Sequence, residues 1–274
     1  MGSYGIAERG PSSFTGDKEK KMRKPIFDII RAQRGKGFTA EEVGAIDSLL
    51  DRLGVEKEDA VVAPTVPESV VAAVGSAGLD DPQAFFDSVR ESGVLGGTLK
   101  PDQLKGLEAV LGAAKAASWP LAFTAYALAT ACHETAHTMQ PVREAFWLSE
   151  NWRRANLRYY PFYGRGYVQL TWKANYERAD RELELGGSLN DNLDLAMDPD
   201  IAAKIMVKGM QEGWFAGDKS GKRHTLARHL PADGGATRVD QFTSARRIIN
   251  GTDKAAKIAG EAIKFQAALQ AGGW

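Results

Sequence analysis

Apolar positions recur at helical spacing along most of the chain. Ile26, Phe27, Ile29 and Ile30 mark one helix, Gly35-Lys36-Gly37 a turn, and Val43, Ile46, Leu49, Leu50 and Leu53 a second helix. Thr39 and Glu42, three residues apart, supply a capping box where the second begins. The unit recurs later: Phe86-Asp87 and Arg90 echo Phe27-Asp28 and Arg31, a Gly96-Gly97 turn follows, and Leu104, Leu107 and Leu111 match Val43, Ile46 and Leu50. The apolar run at 119–131 falls short of the roughly 18 residues a membrane span needs, so it predicts a buried core helix and no stable membrane insertion. Pro199, behind Asp198, opens a helix carrying Ile201, Ile205, Met206 and Met210. A last amphipathic helix over 254–268 turns Ile258, Ile263 and Phe265 inward. No alternation long enough for more than a short hairpin is present, and the expected fold class is all-α.

The pattern divides the chain. Residues 1–24 are polar and Gly/Ser-rich, lack the apolar stretch of a secretory signal, and read as a leader or disordered tail. Residues 25–59 form a small two-helix module, which buries too little surface to stand alone and is expected to dock on its neighbour or bind a partner. Residues 60–82, with Pro64 and Pro67, have linker composition. Residues 83–274 form the principal domain.

Composition narrows the function. With 43% hydrophobic and 26% charged residues, the 274-residue chain can bury a full core. Lysine and arginine number 35 and acidic residues 35, which removes any general electrostatic case for nucleic acid or a membrane surface as partner. The one cysteine, Cys132, excludes an intramolecular disulfide and a multi-cysteine zinc site, and fits folding in a reducing compartment.

Chemistry concentrates between residues 132 and 176. His133-Glu134-Thr135-Ala136-His137 satisfies the pattern in which two histidines one helical turn apart hold zinc and the glutamate acts as general base. A zinc peptidase or amidase needs a third ligand on a following helix, however, and Pro141 is expected to cut this helix one turn after His137. The alternative uses Glu134 as one of two carboxyl groups flanking a glycosidic bond. Partial burial at the end of an apolar helix disfavours its charged form, as a proton donor requires. Glu144 lies beyond the Pro141 break on a segment free to cross a cleft, and Glu150 competes for the same role. The run Tyr159-Tyr160-Pro161-Phe162-Tyr163-Gly164-Arg165-Gly166-Tyr167-Val168-Gln169-Leu170-Thr171-Trp172 offers aromatic faces, an amide and a hydroxyl, which suit sugars. A Gly-bent aromatic core segment would have the same composition. His224 and His229 read as decoration of a solvated connection, Arg246-Arg247 as a solvated helix face, and Cys132 as a buried inert thiol. Asn190, Asn192 and Asp194 lack the turn glycine and terminal glutamate of a calcium loop.

Three ordered motifs carry a resemblance. Cys132-His133-Glu134-Thr135, then Tyr163 to Thr171 with Asn175-Tyr176, then Ile248-Ile249-Asn250-Gly251 resemble glycoside hydrolase family 19, the chitinases and chitinase-like lysozymes used by bacteriophages as endolysins. The stretch from His133 to Glu144 is more similar to the phage branch. The resemblance covers roughly residue 82 to the C-terminus. It implies a lysozyme-like domain that hydrolyses β-1,4 bonds between N-acetylated amino sugars, with peptidoglycan glycan strands as partner and chitin as the close rival. It implies Glu134 as general acid, Glu144 as general base with Glu150 as the alternative, and Thr171 holding the attacking water. Gln169, Asn175 and Asn250 would bind sugar, and Tyr163 and Arg165 would line the cleft. Thr171 stands where plant enzymes resemble a serine, and His137 has no role in the glycosidase. No cofactor and no metal are expected, and the chain is expected to be a monomer. An endolysin would wait in the host cytoplasm and reach the wall through a separately encoded pore.

Overall fold

The computed structural model describes residues 78–274; the first two-helix unit and the expected leader lie outside the described residues. Helix α1 (Pro82–Ser92) starts where Asp81 accepts a hydrogen bond from the Ala84 amide and ends at Gly93, whose φ of 65° an L side chain rarely adopts. Helix α2 (Pro101–Ala116) follows, completing the second copy of the repeated pattern. Helix α3 (Leu121–Glu134) takes up the apolar run, and its residues from Leu121 to Cys132 are all buried. Strand β1 (Val142–Arg143), helix α4 (Glu150–Asn156) and strand β2 (Arg165–Gly166) come next. The two strands pair antiparallel, Val142 with Gly166 and Arg143 with Arg165, a hairpin-sized sheet as the pattern allowed. Then come α5 (Lys173–Glu182), α6 (Ser188–Asp191), a 3-10 turn (Leu193–Met197) and α7 (Pro199–Glu212). Asp198 caps α7 by accepting from the Asp200 and Ile201 amides, with Pro199 in the first turn. Short helices α8 (Leu226–His229), α9 (Val239–Ala245) and α10 (Arg247–Asn250) lead to α11 (Ala255–Ala271).

The domain is all-α apart from that hairpin. Helix α3 packs on α11, which also meets α9 and α1, while α7 packs on α2. Leu79, ahead of α1, already belongs to this core. Among the described residues, no helix is long and apolar enough to cross a membrane.

The end of α3 sets the site. The helix stops at Glu134, three residues before His137 and well before Pro141. The Ala136 amide donates to His133 O (3.2 Å) and the His137 amide to Cys132 O (2.7 Å), with Ala136 at φ 50° and His137 at φ 66°. This is a Schellman ending with alanine in the position glycine usually takes. Thr135 reinforces it, its hydroxyl donating to Ala131 O (2.7 Å) and accepting from the Met139 amide (3.0 Å). Helix α2 presses against the turn at Gly106, where a Cβ would lie 1.7 Å from Met139 O. Gln103, buried on α2, donates to His137 O (2.9 Å). The chain therefore turns immediately after Glu134 and runs into β1, which Glu144 follows directly.

Candidate active site

Glu134 and Glu144 line one cleft of about 500 Å³, together with Tyr159, Val168, Gln169, Thr171, Ile249 and Asn250. Five residues predicted from the sequence thus meet in one place, drawn from the end of α3, the segment after β1, the turn after β2 and the end of α10.

Glu134 sits at the negative end of the α3 dipole, which opposes a carboxylate charge. Arg246 offsets this: its Nη1 donates to Glu134 Oε1 at 2.7 Å and its Nε to Asp253 O at 2.9 Å. The guanidinium is almost fully buried, while the Glu134 side chain keeps 18% exposure toward the cleft. Apolar burial is therefore only part of the Glu134 environment. The expectation that Arg246 faces solvent is corrected; Arg247 alone is exposed. Arg246 follows Phe242 by one helical turn, and Phe242 is wholly buried, so the register already pointed inward.

Glu144 is fixed from two sides. Its Oε1 accepts from the Tyr159 hydroxyl (2.5 Å), its Oε2 from the Gly164 amide (2.9 Å), and its own amide donates to Gly164 O (2.7 Å). Burial, then the bond and charge of Glu144, push the Tyr159 hydroxyl up to about 12, so it remains a donor at neutral pH. Tyr159 belongs to the aromatic run, and nothing in its local sequence marks it as the partner of Glu144. Glu150 lies elsewhere, in a second pocket with Arg143, Arg153, Tyr163, Arg165 and Asp194, accepting from the Tyr163 hydroxyl at 3.0 Å.

Thr171 donates its one proton to Gln169 O (2.7 Å), so only its lone pairs face the cleft. Gln169 donates to Val142 O (3.0 Å), and its Oε1 would lie 2.7 Å from a Cβ at Gly164, so a side chain there would displace the amide. Asn250 is exposed at the end of α10. Three expected sugar contacts sit outside this cleft. Asn175 donates to Thr171 O (2.8 Å). Tyr163 and Arg165 are buried and line the second pocket. The guanidinium of Arg165 lies 3.8 Å from the centre of the Tyr163 ring and donates to Asp194, Pro161 O and Tyr176. Its Nε and Nη1 are thereby tied to neighbouring residues of the chain.

The zinc-peptidase geometry is not formed. Because α3 ends at Glu134, His133 and His137 do not share a helix face. Among the described residues, the group of three possible ligands within reach of one another is Cys132, His137 and Glu261, without His133. Burial lowers the His133 titration range, and its Nδ1 is buried with no hydrogen-bond partner.

The other two histidines are also corrected. His224 is buried rather than solvated, and its Nδ1 meets His229 Nε2 at 2.9 Å, while His229 Nδ1 meets Ser244 Oγ at 2.9 Å. Burial first, then His224 and nearby arginines, lower His229 to about 4, and burial chiefly lowers His224. Both are favoured neutral in the fold, so their contribution is complete above the ordinary histidine value of 6.5 and is lost as the pH falls toward about 4. The thermal midpoint should drop across that window, and His229→Asn should flatten the drop. Equal pH slopes in the two proteins would show that the pair does not titrate with folding.

No protein-family profile matches the chain. Over 98 residues it is 37% identical to acidic endochitinase pcht28 of Solanum chilense and 34% identical to an acidic 26 kDa endochitinase of Solanum lycopersicum. Each match takes in 33% of this chain and 36% of the relative, so the chain spans about a third of the length of the curated relatives it matches. Among solved structures, chitinase C from Streptomyces griseus HUT6037 is similar at 19% identity and a TM-score of 0.40, over 75% of this chain and 78% of that one.

Proposed function

We propose that this chain is an inverting glycoside hydrolase that cleaves β-1,4 bonds between N-acetylated amino sugars. The observation that carries the reading is the shared cleft, which Glu134 and Glu144 line together with Thr171 and Gln169. In this mechanism Glu134 donates a proton to the leaving glycosidic oxygen, and Arg246 stabilises the carboxylate that remains. Glu144 takes a proton from water as the water attacks the sugar carbon from the opposite face. Its two fixed bonds orient the carboxylate, and each oxygen retains a lone pair for that water. Thr171 can only accept, so it holds the water by its other hydrogen. Single displacement requires carboxyl groups roughly 6.5 to 9.5 Å apart, leaving room for the water between them. Exposed Trp172, packed edge-on against Tyr159 at 4.9 Å, offers a stacking face at the cleft rim.

Peptidoglycan glycan strands are the substrate we favour, on the similarity of the 133–144 stretch to the phage lysozyme branch, with an endolysin role to match. Chitin is the second reading, favoured by the identity to plant endochitinases. Purified peptidoglycan and chitin oligomers, each digested and assayed for new reducing ends and new amines, separate the possibilities. Reducing ends from peptidoglycan support the first reading, reducing ends from chitin alone the second, and amines alone would refute a glycosidase. Glu144→Gln should lower turnover roughly 100-fold or more, while Glu150→Gln should leave it within a few-fold of the parent. The reverse ranking would move the base to the second pocket.

A further inference from the structure

The turn behind Glu134 gathers three groups that hydrolysis leaves unused. Cys132 on the last turn of α3, His137 in the Schellman ending and Glu261 on α11 each place a donor atom within 4.8 Å of the others. His137 Nε2 is 3.2 Å from Glu261 Oε1. Cys132 is fully buried and Glu261 is only 8% exposed, yet Glu261 Oε2 is buried with no hydrogen-bond partner among the described residues. A buried carboxylate oxygen left in that state costs free energy that a bound cation would recover.

We propose that Cys132, His137 and Glu261 bind zinc or a similar borderline-soft divalent cation, with water in the fourth position, as a structural clamp between α3, the turn after it and α11. The donor set is one thiolate, one imidazole and one carboxylate, the ligand types zinc takes, and it excludes the harder calcium and magnesium. Tetrahedral zinc with ordinary bond lengths sets neighbouring donors roughly 3.4 to 3.6 Å apart. The histidine–glutamate pair is already near that spacing, and the thiol sulfur lies within 4.8 Å of both. Two negative ligands and a neutral imidazole cancel the charge of the ion, so the buried centre is neutral once the thiol proton has left to solvent. The His137 side chain is 42% exposed, which gives an entry path. Lys257 Nζ, 3.7 Å from Glu261 Oε1 on a half-exposed side chain, is the counter-charge the ion would displace. The clamp would fix the reversal that carries the chain from Glu134 to Glu144, and it gives His137 the role that the glycosidase chemistry does not.

The test uses the full chain, stripped of metal by a chelator and titrated with Co²⁺ and then Zn²⁺. One equivalent of Co²⁺ should produce a thiolate-to-cobalt charge-transfer band in the near ultraviolet, bleached by Zn²⁺, and Zn²⁺ should raise the thermal midpoint. Cys132 is the one cysteine of the chain, so the band can have no other source. Cys132→Ser should abolish the band, and Cys132→Ser and Glu261→Gln should each weaken zinc binding at least about tenfold. If either variant fails to fold, the spectrum of the parent protein decides alone. Absence of the band in the parent, or equal zinc affinity in a folded Cys132→Ser protein, overturns the proposal. So does Co²⁺ bound without the band, which would place it away from Cys132. None of these readouts depends on hydrolytic activity.

Discussion

Replacing Glu134 by Gln is expected to lower turnover by roughly 10²- to 10⁴-fold, the range a positioned general acid contributes. The amide has nearly the same shape and can still accept the Arg246 hydrogen bond through its oxygen, but it cannot deliver a proton to the leaving sugar. The substitution also leaves the Arg246 guanidinium without its counter-charge, so a lower thermal midpoint is expected alongside the activity loss. Turnover must therefore be measured at a temperature where circular dichroism shows both proteins folded. KM should change little, since the acid acts in the transition state rather than in binding. A folded Glu134→Gln protein that kept most of its turnover would remove Glu134 from the reaction.

What the sequence revealed depended on whether a residue's partners were local. Helices α3, α7 and α11 follow from apolar spacing, and Pro199 behind Asp198 marked the start of α7, because these signals lie within a few residues. Glu134 was legible from its motif and its place at the end of an apolar run. The early stop of α3 was hidden because Ala136 takes the left-handed position where glycine would have announced it. Arg246 was misjudged because its partner Glu134 is 112 residues away, and a buried arginine and a solvated one are spelled alike. Glu261 and the His224–His229 pair share that difficulty: only folding shows that they face inward. Arg165 and Asn175 were recognised as part of a motif, but a motif records that a residue is needed and not whether it holds substrate or scaffold. The hydrogen bonds that each makes within the chain are visible only in the fold.

Arg246→Met should be the most damaging substitution to stability near the site. It removes a buried guanidinium that ties the end of α3 to the loop before α11, through Glu134 at 2.7 Å and Asp253 O at 2.9 Å. Breaking one side of a buried ion pair costs about 3–5 kcal/mol. The access of Glu134 to the cleft lets water recover part of that, so the lower end is expected. Turnover should fall as well, because the carboxyl group loses the contact that aims it and the cation that stabilises it after proton transfer. Arg246→Lys should land between the two, since an ammonium keeps the charge but cannot reach Glu134 and Asp253 O with one planar fork. The decisive measurement is the double-mutant cycle. If Arg246 acts through Glu134, adding Arg246→Met to Glu134→Gln should cost little further turnover, whereas the stability loss through Asp253 O should persist. Turnover effects that simply multiplied would mean that Arg246 supports the fold and takes no part in positioning the acid.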